Sequence, residues 1–257
     1  MKYHIPRAPV RAQIKTREAY LLTFEAPEIA QEAKPGQFVH IKTAKGSDPL
    51  LRRPLSICRA LPAEGLVVVW YQAVGRGTAL MTELMAWDEV DVVGPLGRGF
   101  DTEIAGEKVY LIGGGVGLAP LIFLGQKLAG ANEITLFGGA KNAGLLETAQ
   151  DLSALPAFWA TEDGSLGHRG LVTELLKQSL EKEKPARFYS CGPHGMLAEV
   201  ARLARAQNIP LQVSLESAMA CGVGACLGCS CDKGSGREGY LKVCKDGPVF
   251  WDTEVNL

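Results

Sequence analysis

The sequence has almost no excess of charge of either sign. Its 257 residues include 27 lysines and arginines against 28 aspartates and glutamates, so the formal net charge is −1. A chain with so little net charge creates no field that would draw it to nucleic acid or to an anionic membrane surface. We therefore expect neither a nucleic acid nor a membrane among its partners.

The sequence also lacks a segment that would carry it into a membrane. The first seven residues have no apolar core of the kind that a secretion signal needs. An uncharged run over 109–125 approaches the length of a membrane span, but three consecutive glycines and Pro120 interrupt it. A strand, a turn and a helix explain this composition better. We expect a cytoplasmic protein.

The sequence also lacks an even set of cysteines, because it contains seven, so at least one must stay unpaired. Unpaired thiols fit a reducing compartment, and disulfides are not expected. Three cysteines share one glycine-rich loop with the spacing C-x4-C-x2-C, and a fourth follows at a distance. This is the spacing of plant-type [2Fe–2S] ligation. The glycines at 222, 224 and 228 are expected to adopt positive φ and to bring amide N–H groups close to the sulfurs. The predicted ligands are Cys221, Cys226, Cys229 and Cys244.

Two other interpretations of the loop are possible from its residues. Four thiolates also bind structural zinc, but zinc ribbons favour paired C-x2-C knuckles and this loop has only one. Cys231 lies two residues after Cys229 and competes as a ligand. Its neighbours suit a strand that leaves the loop, so we interpret Cys231 as a packed thiol.

His40, in an apolar strand near the start of the chain, is interpreted as a surface or hydrogen-bonded histidine without a catalytic role.

The first part of the chain, residues 1–103, has the pattern of a small antiparallel β-barrel. Short stretches of alternating apolar and polar residues are separated by glycine and proline. Arg53 offers a rigid fork for a pyrophosphate, and Ser56 places a hydroxyl where a flavin ring would lie. Gly77 and Thr78 open a helix over 79–85 and form a second phosphate-binding element. Two such elements in one barrel suggest a bound dinucleotide.

The second part, residues 104–212, alternates strands with helical segments. This alternation predicts a doubly wound parallel sheet, whose last strand we place at 211–216. A buried strand over 108–112, a glycine turn and a helix follow one another in the order of the βα unit that carries a dinucleotide pyrophosphate. The glycines predicted to shape this site are Gly113, Gly115 and Gly117.

Three strings in the first part resemble the FAD-binding barrel of the ferredoxin–NADP reductase superfamily. They are Arg53-Pro54-Leu55-Ser56, Gly77-Thr78 and Gly94-Pro95-Leu96-Gly97. By this resemblance Arg53 would hold the FAD pyrophosphate, Ser56 would face the flavin N5, and Gly77 with Thr78 would cap a phosphate. A neighbouring strand would line the cofactor with Trp70, Tyr71 and Gln72. Since side chains alternate along a strand, we expect only one of the two aromatic rings to point at the flavin.

The second part shows the same resemblance at Cys191-Gly192-Pro193, which follows a predicted strand at the carboxyl edge of the sheet. In the superfamily a matching Cys-Gly-Pro lies beside the nicotinamide. Beyond the second strand the chain offers Lys141 but no arginine cluster that would bind a 2′-phosphate. We therefore expect NAD rather than NADP.

Two strings near the end of the chain indicate a narrower family within this superfamily. The strings at 216–226 and 242–250 closely resemble the electron-transfer subunits of type B dihydroorotate dehydrogenases, and the likeness covers the whole chain. It implies an FAD-binding barrel over 1–103, an NAD-binding domain over 104–212 and a [2Fe–2S] module over 213–257. It also implies the same four cluster ligands, Cys221, Cys226, Cys229 and Cys244.

This resemblance implies an oxidoreductase subunit of pyrimidine biosynthesis. Electrons would leave the FMN of a separate catalytic subunit and pass through the cluster and FAD to NAD+, in an assembly of two copies of each subunit. A flavin is needed between the other two groups because nicotinamide exchanges only hydride and the cluster only single electrons. No acid–base residue for dihydroorotate is expected in this chain. The alternatives are a homologous subunit of a sulfhydrogenase or ferredoxin reductase complex, and a non-enzymatic, zinc-stabilised binding module.

Overall fold

A computed structural model describes residues 2–44, 46–234 and 236–257 of the chain. Six antiparallel strands form a closed barrel in the order β1-β2-β5-β4-β3-β6, and the pairing of β6 with β1 closes it. The strands are β1 (Tyr3–Lys15), β2 (Tyr20–Glu25), β3 (Phe38–Lys42), β4 (Arg53–Leu61), β5 (Leu66–Tyr71) and β6 (Glu89–Leu96).

Alternation along the strands decides which side chains fill the barrel. On β3, Val39 and Ile41 belong to the barrel core, whereas Phe38 belongs to a core outside the barrel. Two short helices, α1 (Pro27–Glu32) and α2 (Arg76–Met81), connect the strands. The prediction that a helix covers 79–85 is wrong in its bounds, because Thr78 ties the chain into a helical turn three residues earlier.

A second sheet follows the barrel, and its strands are parallel in the order β10-β9-β8-β7-β11-β12. Its elements are β7 (Lys108–Gly114), α3 (Leu118–Leu128), β8 (Glu133–Ala140), α4 (Ala143–Ser153), β9 (Ala157–Thr161), β10 (His168–Arg169), α5 (Val172–Leu180), β11 (Arg187–Cys191), α6 (His194–Gln207) and β12 (Leu211–Ser214). A single 3₁₀ turn, Gly115–Gly117, joins β7 to α3.

Helices cover both faces of this sheet. On β7, Tyr110 and Ile112 share a buried cluster with residues of α5 and α6. Val109 and Leu111, which point to the opposite face, share another cluster with residues of α3 and α4. The predicted fold class, a β-barrel followed by a doubly wound parallel sheet, is confirmed.

The end of the chain forms a small hairpin and then returns to the sheet. The hairpin consists of β13 (Ser230–Asp232) and β14 (Tyr240–Lys242), and the last strand is β15 (Val249–Trp251). β15 pairs antiparallel with β12 and forms the edge of the sheet. The prediction that the strand at 211–216 is the last of the sheet is therefore wrong. The cysteine loop lies in the segment between β12 and β15.

Across the described ranges, no helix combines the length and the apolar character that crossing a membrane requires.

Candidate functional site

A cavity of about 620 Å³ lies where the barrel meets the parallel sheet, and we call it the barrel cavity. Its sheet side is formed by Val116, Cys191 and the segment 214–219. Most of the residues that the sequence predicted for a flavin nucleotide line its barrel side: Arg53, Pro54, Leu55, Ser56, Trp70, Tyr71, Gln72 and Thr78. β4 and β5 are neighbouring strands, which is why these separate strings meet.

The two adjacent arginines at the start of β4 have different environments. Arg52 forms an ion pair with Asp91 at 2.8 Å. Arg53 donates to the carbonyl of Leu51 at 2.5 Å and has no carboxylate partner among the described residues. Its guanidinium lies across Gly77, so that a Cβ atom there would come within 2.6 Å of Arg53 Nε. The structure thus brings together the two predicted phosphate-binding elements and leaves Arg53 free to bind an anion.

Thr78 shapes the loop at this end of the cavity. Its Oγ1 accepts hydrogen bonds from the amides of Val74 and Gly75 at 3.1 and 3.2 Å, and it donates to the carbonyl of Gly75 at 3.0 Å. The hydroxyl therefore fixes the turn before α2. Gly77 is buried beside it and contributes close packing instead of cavity surface.

The aromatic residues at the end of β5 point to opposite sides, as strand alternation requires. Tyr71 belongs to the barrel core and donates its hydroxyl to Gln13 at 3.1 Å. Trp70 belongs to the core between barrel and sheet, which also contains Cys191. Its indole nitrogen Nε1 is buried and has no hydrogen-bond partner in the part of the chain that the structure describes. Both residues contribute to the wall of the barrel cavity.

The sequence analysis missed one ionisable residue of this wall, Glu216. Its side chain keeps an exposed surface in the cavity. The protein around it nevertheless removes enough water to raise the pKa of the carboxyl above its usual value. Its position at the end of a strand was the available signal, because side chains there point to the ligand-binding edge of such a sheet.

A second cavity, also of about 620 Å³, lies over the carboxyl edge of the parallel sheet, and we call it the sheet cavity. Gln72 lines both cavities, so they adjoin. Its charged lining residues within the described ranges are three carboxylates and one cation, Glu18, Glu162, Glu199 and Lys141. Hydrogen bonds from Arg202 and Lys177 hold the pKa of Glu199 at about 2. The lining thus has more carboxylates than cations, although Lys177 and Arg202 neutralise the charge of Glu199.

The glycine turn after β7 packs directly on the turn after β11. A Cβ on Gly117 would lie 2.5 Å from the carbonyl oxygen of Cys191, and one on Gly114 would lie 2.7 Å from Pro193 Cδ. Gly192, with φ of +154°, packs in turn on the amide of Gly114. Only glycine permits these backbone contacts.

The predicted residues of these two turns divide into two groups. Gly115 and Pro193 line the sheet cavity, and Cys191 lines the barrel cavity. Gly113 packs under Leu118, and Gly117 and Gly192 pack within the turns, so these three shape the site without forming its wall. Cys191 is 2% exposed, and burial raises the pKa of its thiol to about 12. A neutral thiol, not a thiolate nucleophile, therefore faces the barrel cavity.

The cysteine loop directs backbone amides at the sulfurs of its thiols. The amides of Val223 and Ala225 donate to Cys221 Sγ at 3.5 and 3.3 Å. Further amides reach the other three sulfurs: Gly224 donates to Cys244 Sγ at 3.1 Å, Gly228 to Cys226 Sγ at 3.5 Å, and Cys244 to Cys229 Sγ at 3.4 Å. Such bonds stabilise thiolates, as a metal ligand requires.

Among the four thiols, Cys221 interacts most strongly with Cys226, and Cys244 with Cys229. Within the described residues, no three of them surround a single metal position. A zinc site needs four ligands around one ion, whereas a two-iron cluster needs two thiolates for each of two irons. The arrangement in pairs favours the cluster.

The backbone of the loop differs from the prediction at one position. Gly222 and Gly224 have φ of +66° and +85°, as expected. Gly228 does not lie in this region, and Leu227 does, with φ of +62°. The expectation for Gly228 is wrong because the left-handed turn falls one residue earlier. Cys231 lies half-buried on β13, and burial raises its pKa, as suits a packed thiol.

His40 lies in a different environment from the one that the sequence predicted. It is 1% exposed, so the prediction of a surface position is wrong, whereas the ring does hydrogen-bond to the backbone of Arg52. Its Nε2 atom has no hydrogen-bond partner among the described residues. The physical reason is that the cysteine loop folds back over the outer face of β3 and covers the ring with Gly222.

Comparison with known proteins gives a consistent result over the whole chain. Residues 216–256 match the family model described as the iron–sulfur cluster binding domain of dihydroorotate dehydrogenase B. The chain is 42% identical over 253 residues to the dihydroorotate dehydrogenase B (NAD(+)) electron transfer subunit of Geobacillus thermodenitrificans (strain NG80-2), covering 96% of both chains. It is 40% identical over 240 residues to the protein of the same name from Desulforamulus reducens, covering 92% of both.

Solved structures show the same architecture. An NADH-dependent reduced ferredoxin-NADP oxidoreductase superposes with a TM-score of 0.84 at 30% identity, over 97% of this chain and 89% of that chain. A ferredoxin NADP+ reductase from Neisseria gonorrhoeae, solved with bound FAD and NADP, superposes with a TM-score of 0.66 over 80% of this chain and 91% of that chain. At 16% identity this second likeness concerns the fold alone.

Proposed function

This chain belongs to the family of dihydroorotate dehydrogenase B electron transfer subunits, and from that premise we propose that it carries electrons between NAD(H) and a separate subunit that oxidises dihydroorotate. One observation carries the proposal. The barrel cavity and the sheet cavity adjoin at Gln72, and the wall segment 214–219 of the barrel cavity continues directly into the cysteine loop. Three binding regions are therefore contiguous in the order that such a transfer needs.

The barrel cavity fits FAD. Arg53, which has no carboxylate partner in the described parts of the chain, would bind the pyrophosphate, with the turn fixed by Thr78 beside it. Ser56 and Cys191 line the cavity from opposite sides, where Ser56 would face the ring system.

The cysteine loop fits a [2Fe–2S] cluster, with Cys221 and Cys226 as one pair of ligands and Cys229 and Cys244 as the other. The sheet cavity fits NAD, with Gly115 and Pro193 in its wall. Its carboxylates would repel the additional phosphate of NADP, since like charges at close range disfavour binding. When bound, a flavin supplies the chemistry that links hydride exchange with nicotinamide to single-electron exchange with iron.

The residues of the chain orient and shield this chemistry. Two buried glycine turns hold the wall between the cavities rigid, because their backbones touch with no side chain between them. The neutral Cys191 thiol presents no charge to the barrel cavity. We propose that the oxidation of dihydroorotate takes place on the catalytic subunit. We propose the assembly of two copies of each subunit and a cytoplasmic location, where seven free thiols are compatible with the reducing conditions.

The test is to purify the chain together with an FMN-containing catalytic subunit and to measure FAD, iron and sulfide. Dihydroorotate should then reduce NAD+ only when both subunits are present. A complex that lacks either flavin or iron after anaerobic reconstitution, or that reduces NAD+ without this chain, would contradict the proposal.

A single substitution tests the role of the cluster separately from that of FAD. We expect Cys226→Ser to lose iron and dihydroorotate-dependent NAD+ reduction, but to retain FAD and NADH oxidation by ferricyanide, because the described wall of the barrel cavity does not include the cysteine loop. Cys231→Ser is the matched control, since this thiol lies half-buried on β13 and should keep the iron. Full iron content in Cys226→Ser would refute the ligand assignment.

A second candidate function is that of a subunit in a ferredoxin-NADP oxidoreductase complex. It is favoured by the similarity in fold and sequence to the NADH-dependent reduced ferredoxin-NADP oxidoreductase. The two functions differ in the partner. If the chain, isolated from its native cells, assembles with a ferredoxin-linked flavoprotein and not with an FMN-containing dihydroorotate-oxidising subunit, the second function replaces the first.

A further inference from the structure

Lys242 lies in a tight turn beside the fourth predicted ligand. Its amide donates to the carboxylate of Asp246 at 2.7 Å, and its carbonyl accepts hydrogen bonds from the amides of Lys245 and Asp246 at 3.0 and 2.7 Å. Cys244 is buried within this turn. The backbone of Lys242 is therefore fixed relative to the ligand two residues later, and its half-buried side chain starts from a defined position.

The side chain of Lys242 crosses to the loop that carries the other three predicted ligands. Its Nζ donates to the carbonyl oxygen of Gly224 at 3.2 Å. The same glycine donates its amide to Cys244 Sγ at 3.1 Å. A side chain is excluded at this position, because φ of Gly224 is +85° and a Cβ there would lie 2.7 Å from Lys245 Cδ. Lys242 and Gly224 therefore join the two segments that carry the cysteines.

The carbonyl that Lys242 contacts belongs to a peptide group that also reaches a sulfur. The N–H of this peptide group is the amide of Ala225, which donates to Cys221 Sγ at 3.3 Å. A cation at the oxygen of a peptide group polarises it and makes its N–H a stronger donor, because hydrogen bonds in a chain reinforce one another. The hydrogen bonds thus form a relay from the Lys242 ammonium through the peptide 224–225 to Cys221 Sγ.

The ammonium at the start of this relay forms no ion pair with a carboxylate in the parts of the chain that the structure describes. The Asp246 carboxylate accepts instead from the backbone amide of Lys242. Lys108, by contrast, pairs with both Glu133 and Glu183. A half-buried cation acts on its neighbours with less screening than one at the surface. The Gly224 carbonyl is therefore the described partner of this charge.

We propose that Lys242 is a positioning residue for the cluster, and that its ammonium strengthens the hydrogen bond from Ala225 to Cys221 Sγ and so raises the reduction potential of the bound group. The inference rests on the proposed function, since it needs a cluster in the loop. Reduction adds one negative charge to the cluster, and a stronger donor to a ligand sulfur stabilises that charge. Lys242 keeps its proton and carries no electron, so it tunes the transfer without taking part in it.

The test compares variants of the complete chain with FAD and cluster bound. Lys242→Met keeps a long unbranched side chain but removes the charge and the donor, whereas Lys242→Arg keeps both. The cluster potential is measured by redox titration monitored by electron paramagnetic resonance. We expect reduction to become on the order of tenfold less favourable in Lys242→Met, which is a shift of about 59 mV to lower potential for a one-electron couple. Lys242→Arg should recover most of that shift.

Two further lysines of the same module separate the relay from a general effect of charge. Lys233 is half-buried just after β13 with its amine beside Gly239, so Lys233→Met should leave the potential unchanged. Lys245 packs its stem on Gly224, but within the described residues its amine does not hydrogen-bond to the loop. Lys245→Met should therefore cause a smaller shift than Lys242→Met. An equal shift would overturn the inference, because the charge alone would then account for it.

A second measurement does not depend on a folded variant of Lys242. In wild-type protein labelled with nitrogen-15 alanine, pulsed electron paramagnetic resonance of the reduced cluster should detect coupling to the Ala225 amide. The coupling should disappear in Ala225→Ser, which keeps the amide but not the label. Absence of this coupling in the wild type, or an unchanged potential in Lys242→Met with full iron content, would overturn the inference. Absence of iron from the wild-type chain after reconstitution would instead refute the proposed function, so the two failures are distinguishable.

Discussion

Removing the Arg53 guanidinium should weaken FAD binding by a predictable amount. Arg53 is the barrel-cavity arginine that has no carboxylate partner in the described chain, whereas its neighbour Arg52 is paired with Asp91. A hydrogen bond to a charged group contributes about 1.5–3 kcal/mol. Its loss corresponds to an increase of roughly 10- to 150-fold in the dissociation constant of FAD. We expect Arg53→Ala to fall within this range.

The structure supplies an independent way to reach the same state. A Cβ on Gly77 would come within 2.6 Å of Arg53 Nε, so Gly77→Ala should displace the guanidinium. The two substitutions then remove the same interaction. We expect the double variant to bind FAD about as weakly as Arg53→Ala alone, because changes that act on one contact are not additive.

The assay is titration of FAD into flavin-free protein, followed by flavin fluorescence. Arg7→Ala is the matched control, because it removes an equal charge from an exposed pair with Glu89 on the barrel surface. Circular dichroism verifies that each variant is folded. An unchanged dissociation constant in Arg53→Ala, or full additivity with Gly77→Ala, would refute the assignment of Arg53 to the pyrophosphate.

Two further predictions concern the second domain. Glu162→Arg reverses one charge in the wall of the sheet cavity and should raise the ratio of kcat/KM for NADPH to kcat/KM for NADH by about fivefold, corresponding to ~1 kcal/mol for a partly screened charge. Steady-state kinetics with ferricyanide measure this ratio, with the exposed Glu181→Arg as the control. An unchanged ratio would place Glu162 away from the 2′-position of the nucleotide. Gly117→Ala places a Cβ 2.5 Å from the Cys191 carbonyl oxygen and should destabilise the fold by about 1–3 kcal/mol. Gly130→Ala is the control, because no atom lies within 4 Å of its new Cβ. Equal thermal unfolding midpoints for the two variants would contradict the packing argument.

The fold was predictable because its signals are local and repeated. Consecutive residues from Lys108 to Leu128 show the patterns of a strand, a glycine turn and a helix, and the alternation of strands and helices continues to Ser214. Arg53 and Gly77 meet because Arg53 begins β4, Gly77 lies shortly after β5, and these two strands are antiparallel neighbours. In each case the interpretation needed only short stretches of sequence.

The features that were missed depend on contacts between distant parts of the chain. His40 is buried because the cysteine loop, which lies far from it in the sequence, packs over its ring. The sequence of β3 alone does not indicate this contact. β15 has three residues and too little pattern to be read as a strand, although its pairing with β12 completes the sheet. Leu227 took the left-handed conformation expected of Gly228, because the turn's position is set by contacts of the whole loop.

The return of β15 to the sheet has a consequence for how the chain can be divided. A truncation after β12 would remove the cysteine loop and would also strip that strand of its antiparallel neighbour. The amide of Arg98, just after the barrel, donates to the carbonyl of Gly247 at 2.5 Å, so the same cut would release a tether between the barrel and the tail. Shortened forms should therefore expose an unpaired strand edge and tend to aggregate. Anyone seeking a flavoprotein without iron should replace cysteines and keep the full length.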